Sequence, residues 1–249
     1  VLTDKRHALI IEALEQHNFL KLQQLMAYTG SSASTIRRDL TKLQEEGLLT
    51  RVHGGAKLVS LSLEPELSTK RTQHIEEKIE IAKQAAQLIN DGDDLYLDAG
   101  STTLEMIPFI TATGITVVTN GLSHVEALLK QGIHTYIIGG EMKPNTMAVV
   151  GTRAVKFLKN YCFDKAFLGI NGIDETSGLT TPDEREAMMK EVAIQQSQQA
   201  YVLADHSKFG QVHFATIKTS ELPIIITSAQ GHLQNQSLKG EKHLEILGG

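Results

Sequence analysis

In the first 59 residues a helical hydrophobic repeat occurs three times and then breaks at Gly54-Gly55. Behind Thr3, a candidate N-cap, Ile10, Ile11 and Leu14 form the first stripe. Leu22, Leu25 and Met26 form the second, stopped by Thr29-Gly30. Ile36, Leu40 and Leu43 form the third, which starts behind Ser31 or Ser32 and ends at Gly47. Residues 48–53 then read as a strand, Gly54-Gly55 as a tight turn, and Ala56-Lys57-Leu58-Val59 as the returning strand. Three short helices followed by a two-stranded wing make a winged helix-turn-helix, which we assign to residues 1–58.

The third helix carries the chemistry of this unit. At about 100° per residue, Ser34, Arg38 and Thr41 point away from the apolar stripe, with Arg37 and Lys42 on its flanks. Guanidinium groups bond phosphates or guanine edges bidentately, and the hydroxyls of Ser34, Thr35 and Thr41 add short contacts. Arg51 and His53 on the wing complete the candidate DNA-binding set. The alternative is an ordinary solvated helix surface, which the wing and the two preceding helices make the weaker reading.

Net charge is −5, which would ordinarily argue against a nucleic-acid partner. Its distribution matters more than its sum. Residues 1–57 hold eight Lys and Arg against six Asp and Glu, a surplus of +2, so the remainder carries −7.

Residues 59–75, including Glu64-Pro65, read as a linker. From residue 76 the pattern alternates: a helix near 76–90, then apolar strands near 94–98, 115–119, 134–138, 164–170, 200–204 and 224–227. Such alternation predicts an α/β domain over 76–249 with a mainly parallel sheet. In open α/β sheets, ligands collect beyond the carboxyl ends of the strands. Asp98, Gly100, Ser101, Thr102 and Thr103 lie where a strand meets a helix, an arrangement that suits an anion through exposed amides and the helix dipole. A plain capped turn is the alternative. Thr119 and Asn120 in one polar loop, and Gly140 and Glu141 in another, extend the candidate rim. Lys208 adds a cation, unless an ion pair with Asp205 occupies it. Asp183, Glu184, Arg185 and Glu186 are expected to form an exposed first helical turn.

Several function classes have little support. No run approaches the roughly 18 apolar residues of a membrane span, and the charged start of the chain does not resemble a signal peptide, so a cytoplasmic protein without membrane contact is expected. A single cysteine, Cys162, offers no intrachain disulfide. Ten histidines show no His-Glu-x-x-His spacing, so neither metal nor cofactor is expected.

Two segments carry a family resemblance. Ser34-Thr35-Ile36-Arg37-Arg38-Asp39-Leu40 and Arg51-Val52-His53-Gly54-Gly55-Ala56 resemble the DeoR family of bacterial sugar-metabolism regulators. The likeness continues through Asp98-Ala99-Gly100-Ser101-Thr102-Thr103, Asp164-Lys165-Ala166-Phe167-Leu168-Gly169 and Ala204-Asp205-His206-Ser207-Lys208-Phe209-Gly210. Tyr96-Leu97-Asp98-Ala99-Gly100 and Thr180-Thr181-Pro182-Asp183 are similar to the fructose-operon repressors within it. The resemblance implies a homodimer or homotetramer that binds double-stranded operator DNA and is released by a sugar phosphate, with fructose 1-phosphate the expected effector.

It also implies a sensor domain similar to ribose-5-phosphate isomerase, so an isomerase carrying a nucleic-acid module is the rival reading. Against turnover, Asn171 stands where the isomerase has a carboxylate, and an amide is no general base near neutral pH. The isomerase's Lys-Gly-Gly-Gly-Gly run is replaced by Gly178-Leu179-Thr180-Thr181-Pro182. A binding protein and not an enzyme is therefore expected, with Asn171 kept as a ligand contact.

Overall fold

The computed structural model describes residues 3–17, 19–45, 49–52, 54–58, 67–220, 222–236 and 246–247. The chain divides into two compact units, Val1–Leu63 and Glu64–Gly249.

In the first unit α1 (Thr3–His17), β1 (Phe19–Lys21), α2 (Leu22–Thr29) and α3 (Ala33–Glu45) precede the hairpin β2 (Leu49–Val52) and β3 (Gly55–Leu58). All three expected apolar stripes turn inward: Ile10, Leu14, Leu25, Ile36, Leu40 and Leu43 are buried together with Leu49 and Ala56. Each such Ile or Leu side chain contributes about 1.5–3 kcal/mol by leaving water. Gly30 ends α2 in the left-handed region at φ 64°, which a residue without a Cβ adopts at little cost.

The wing has three strands where two were expected, because Phe19–Lys21 joins the hairpin in the antiparallel order β1-β3-β2. Three residues alternating exposed, buried, exposed were too short a signal beside two helices. This strand also explains the paired glycines. Gly54 turns with φ 82°, whereas a Cβ on Gly55 would lie 2.2 Å from the Leu20 carbonyl oxygen.

The second unit begins before residue 76. Within the expected linker, α4 (Leu67–Thr72) buries Leu67 and bonds its N–H to the Asn145 carbonyl at 2.8 Å. A single apolar anchor thus ties residues 67–72 to this unit. Next come α5 (Ile75–Ala86), β4 (Asp94–Leu97), α6 (Ser101–Met106), β5 (Thr116–Thr119), α7 (Leu122–Lys130) and β6 (His134–Ile137). They are followed by β7 (Glu141–Lys143), β8 (Ala148–Val150), α8 (Thr152–Leu158), β9 (Phe163–Gly169), β10 (Gly172–Asp174) and β11 (Gly178–Thr181). The last elements are α9 (Glu184–Gln195), β12 (Ser197–Leu203), β13 (Ala215–Thr216), β14 (Ile224–Ile226), α10 (Ala229–Gln236) and β15 (Ile246–Leu247).

Among the described residues seven strands form one parallel sheet in the order β15-β14-β12-β9-β4-β5-β6. Alternate residues serve two cores. Leu95, Leu97, Phe167 and Leu203 pack with α5 and α6, while Tyr96, Ala166, Leu168 and Val202 pack with α8 and α9. Burial on both faces is why these strands read as nearly unbroken apolar runs. The chain runs outward from β4 to β6 and then restarts at β9 in the other direction. The switch point therefore falls between β4 and β9, where a crevice opens beyond the strand ends.

Candidate functional site

In the first unit the outer face of α3 is solvent-exposed at Ser34, Arg37, Arg38, Thr41 and Lys42. Ser32 is the cap: its Oγ accepts from the Thr35 N–H at 3.4 Å and lies 3.0 Å from Ser34 Oγ and 2.9 Å from Thr35 Oγ1. Arg51 is braced against this helix, its Nη1 donating to Thr41 Oγ1 at 2.8 Å and its backbone N–H to Gln44 Oε1 at 3.0 Å. Thr41 and Arg51 thus join wing to helix. Among the described residues, no ion pair or hydrogen bond occupies the side chain of Arg37 or Arg38. His53 lies outside the described residues.

Sequence reasoning missed Asp39, a buried carboxylate on the inner face of α3. Arg6 grips it twice, at 2.5 Å to Oδ2 and 3.0 Å to Oδ1, and His7 Nε2 lies 3.2 Å from Oδ1. The Arg6 hydrogen bonds hold the Asp39 carboxyl below the usual carboxylate range. This clamp orients α3 on α1.

In the second unit the switch-point crevice is a real cleft. Asp98, Gly100, Ser101 and Thr102 after β4 line it with Asn171 after β9, and Asn120 and Lys208 complete the expected contacts found there. The facing loops approach closely, since a Cβ on Gly100 would lie 3.3 Å from the Gly169 Cα. Asp98 is buried; its Oδ2 accepts from the Gly169 N–H at 3.1 Å and pairs with Lys190 Nζ. Asn120 supports the loop, taking the Ala99 N–H at 2.9 Å and giving its amide to the Val149 carbonyl at 3.1 Å.

Four expected contacts do not line the cleft. Thr103 is fully buried beneath it; its Oγ1 accepts from the Gly100 N–H at 3.0 Å and meets His124 Nε2 at 3.0 Å. Burial lowers the His124 pKa to about 4, so its ring is neutral near pH 7. Thr119 is also buried, with Oγ1 accepting from the Gly121 N–H at 3.0 Å. Glu141 opens an unforeseen hairpin of β7 and β8, and Gly140 directly precedes it. There Gly140 abuts Val149 and Ala154, while Glu141 pairs in the open with Arg185 at 2.8 Å.

The cleft holds charged side chains that sequence reasoning did not place there. Lys78 on α5 is 3% exposed, and burial lowers its pKa to about 8. Its Nζ donates to the Lys70 carbonyl. Glu186, expected in an exposed helical turn, is buried, with Lys143 Nζ at 2.9 Å and the hydroxyls of Thr146 and Thr181 each at 3.2 Å. Thr181 Oγ1 also lies 3.1 Å from Asn171 Oδ1. Asp183 is the N-cap of α9, accepting from the Arg185 N–H at 2.9 Å.

A signal for the missed groups was present. Lys78 falls on the apolar stripe of Ile81, Ala82 and Ala85, and Glu186 and Lys190 fall on the stripe of Met189 and Ala193. A charge on the buried stripe of a helix must be paired, or must face a cavity. The cleft therefore offers cations from α5 and from the segment after β12, a hydrogen-bonding carboxylate from α9, hydroxyls from the start of α6, and amides from the segments after β5 and β9. One molecule that is anionic at one end and hydroxylated elsewhere matches that set.

Among the described residues no helix is long and apolar enough to cross a membrane. Two family descriptions match this chain: the DeoR-like helix-turn-helix domain over residues 6–61 and the DeoR C-terminal sensor domain over residues 73–229. The transcriptional regulator FruR of Bacillus subtilis (strain 168), itself described as uncharacterized, is 47% identical over 233 residues, covering 92% of this chain and 93% of that protein. The glycerol-3-phosphate regulon repressor of Escherichia coli (strain K12) is 33% identical over 248 residues, covering 97% of each. Among solved structures, ribose 5-phosphate isomerase A from Methanocaldococcus jannaschii aligns at a TM-score of 0.41 and 19% identity, covering 55% of each chain, a distant likeness that says nothing of activity. With both of its units matched and near-full-length relatives above 30% identity, the chain belongs to the DeoR family of transcriptional regulators.

Proposed function

We propose that this regulator is a cytoplasmic repressor of a sugar-utilisation operon, released from its operator when a sugar phosphate, fructose 1-phosphate, enters the switch-point cleft. The observation that carries this reading is the composition of the cleft: buried Lys78 and partly exposed Lys208 beside Ser101 and Thr102, with Asn171, Glu186 and Lys190 from other elements. Phosphate is the anchor, held by the cations, the hydroxyls and the free amides opening α6. Glu186, Asn171 and Asn120 meet the sugar hydroxyls. The choice of fructose 1-phosphate rests on the resemblance to fructose-operon repressors.

The repressor role is supported by the E. coli relative, which is named a repressor of a regulon for a phosphorylated metabolite. On DNA, Arg37 and Arg38 read bases or phosphates from the major groove while the wing tracks the backbone. A single head with a surplus of two positive charges makes few phosphate contacts, so two copies, as a dimer or within a tetramer, engage two half-sites. The effector must bind the DNA-incompetent arrangement better than the competent one, with a coupling of about 1–3 kcal/mol.

The test is anisotropy on a fluorescent operator selected from a random duplex library with the full chain. Fructose 1-phosphate is expected to lower affinity at concentrations where inorganic phosphate does nothing. If fructose 1-phosphate, fructose 6-phosphate and tagatose 6-phosphate all leave the affinity unchanged, the sensor reading is wrong. If only one of the latter two acts, the cleft stands and the assigned effector fails.

A further inference from the structure

At the rim of the cleft, which His74 helps to line, three side chains with metal-binding atoms converge from segments far apart in sequence. His74 precedes α5, Glu77 is in its first turn, and His206 follows β12. Their candidate ligand atoms all lie within 4.8 Å of one another. The expectation of no metal rested on local spacing; here His74-x-x-Glu77 supplies two groups and the fold brings the third across 129 residues.

Two of the three are already oriented. Glu77 accepts from the His206 backbone N–H at 2.7 Å, lies 2.7 Å from His206 Nδ1, and accepts from the Ser228 hydroxyl. The third is held in an unusual conformation. His74 sits at φ 51°, ψ 38°, a left-handed backbone that a residue with a Cβ adopts at a cost. That backbone leaves its ring edge-on to the His206 ring, with centroids 4.7 Å apart. Among the described residues, no hydrogen bond occupies either ring nitrogen of His74, and its side chain is exposed.

We propose that His74, Glu77 and His206 form a binding site for a divalent transition-metal ion, with zinc the best match to two imidazoles and a carboxylate. Zinc takes nitrogen and oxygen ligands at about 2.0–2.2 Å and tolerates three protein ligands with water in the fourth position. Ligand atoms on such an ion stand roughly 3.3 Å apart, so contraction from the present spacing falls mainly on His74, which is exposed and, unlike Glu77 and His206, not held by side-chain hydrogen bonds. The surrounding charge permits a cation. Lys78 and Lys208 stand near, but buried Asp205, on which both of them and His74 act electrostatically, offsets one of those cations and Glu77 the other. Bound metal would fasten the start of α5 to residues 206–208 and thereby fix Lys208 at the cleft.

The experiment uses the full chain stripped with a chelator and titrated with zinc by calorimetry, and with cobalt(II) followed by its visible spectrum. Wild type is expected to bind one equivalent per chain, to melt at a higher temperature when loaded, and to show the intense d–d bands of a low-coordinate cobalt site. His74→Gly removes one ligand while allowing the left-handed backbone without strain, so its metal-free melting temperature should be no lower than that of wild type. It should lose the one-equivalent event and the metal-induced rise in melting temperature. His74→Asn, which also tolerates this backbone, is the second variant. The proposal is overturned if wild type shows no saturable binding, or if both variants bind zinc as tightly as wild type, because the ion would then sit elsewhere, for instance at exposed Cys162.

Discussion

The two units place charge on their helices in opposite ways. On α3 the arginines stand off the apolar stripe, in solvent, at Arg37 and Arg38. On α5 and α9 the charges Lys78, Glu186 and Lys190 stand on the stripe, withdrawn from solvent, and line the cleft. An exposed cation keeps its hydration until a polyanion displaces counterions, and this suits a large partner met at the surface. A buried cation has already lost most of its water, so a small anion entering the cleft regains for it what burial removed. The contrast is the one expected between a surface suited to docking on a macromolecule and a pocket suited to enclosing a small anion. Asp39 refines the rule: it is also on a stripe, but Arg6 and His7 satisfy it.

Truncating the apolar stripe on the opposite side of α3 from the exposed arginines should produce the largest effect. Leu40→Ala removes a side chain 2% exposed at the centre of the first unit and should destabilise that unit by about 2–5 kcal/mol. Denaturant unfolding is then expected to show an early transition for the first unit with the second unchanged. A single transition shifted as a whole would mean that the two units do not fold independently.

Arg38→Ala should act on binding alone. A lost bidentate base contact costs about 1–3 kcal/mol of operator affinity and leaves folding unchanged. Anisotropy on operator and scrambled duplexes decides between roles: loss on both equally makes Arg38 a phosphate contact, and no loss on either removes it from the interface.

The buried side of the comparison is sharpened by pH. Lys78 has its pKa lowered to about 8 by burial, so the free protein loses this positive charge as pH rises through that value. Sugar-phosphate affinity should therefore fall above about pH 8, by at most about tenfold per unit. Folding responds in the other sense. Between about pH 8 and the ordinary lysine range near 10.5 the unfolded chain binds the extra proton, so the Lys78 contribution to stability rises with pH there. Calorimetry of fructose 1-phosphate binding from pH 7 to 9.5 checks the first sign. An affinity flat across that range would show that Lys78 does not meet the anion.

Much of this was legible in the sequence because the signals were local. The stripes of α1 to α3, the glycine stop at Gly30 and the apolar runs of the parallel sheet all follow from the spacing of neighbouring residues. So did the Asp98 to Thr102 loop, since a strand running into glycine and hydroxyls is a short-range pattern. What escaped was non-local. Phe19–Lys21 becomes a strand only because β3 passes beside it, and Gly140 and Glu141 turn away because β8 returns to pair with β7. Lys78, Glu186 and Lys190 were visible as charges on apolar stripes, but which of them met a cavity depended on the switch point between β4 and β9. His74 and Glu77 needed His206, which no spacing rule links to them.

The anion is proposed to enter at the Ser101 loop and to act on the DNA-binding unit without being part of it. Ser101 is 9% exposed and lines the cleft, so Ser101→Asp sets a carboxylate where the phosphate would lie. Two anions at about 4 Å repel by roughly 1 kcal/mol in water and more strongly in a drier site. The decisive measurement is therefore operator affinity of wild type and Ser101→Asp, each titrated with fructose 1-phosphate. The variant is expected to bind operator as wild type does and to stay bound at concentrations that release wild type. Release of both proteins at the same concentration would contradict the proposed phosphate site.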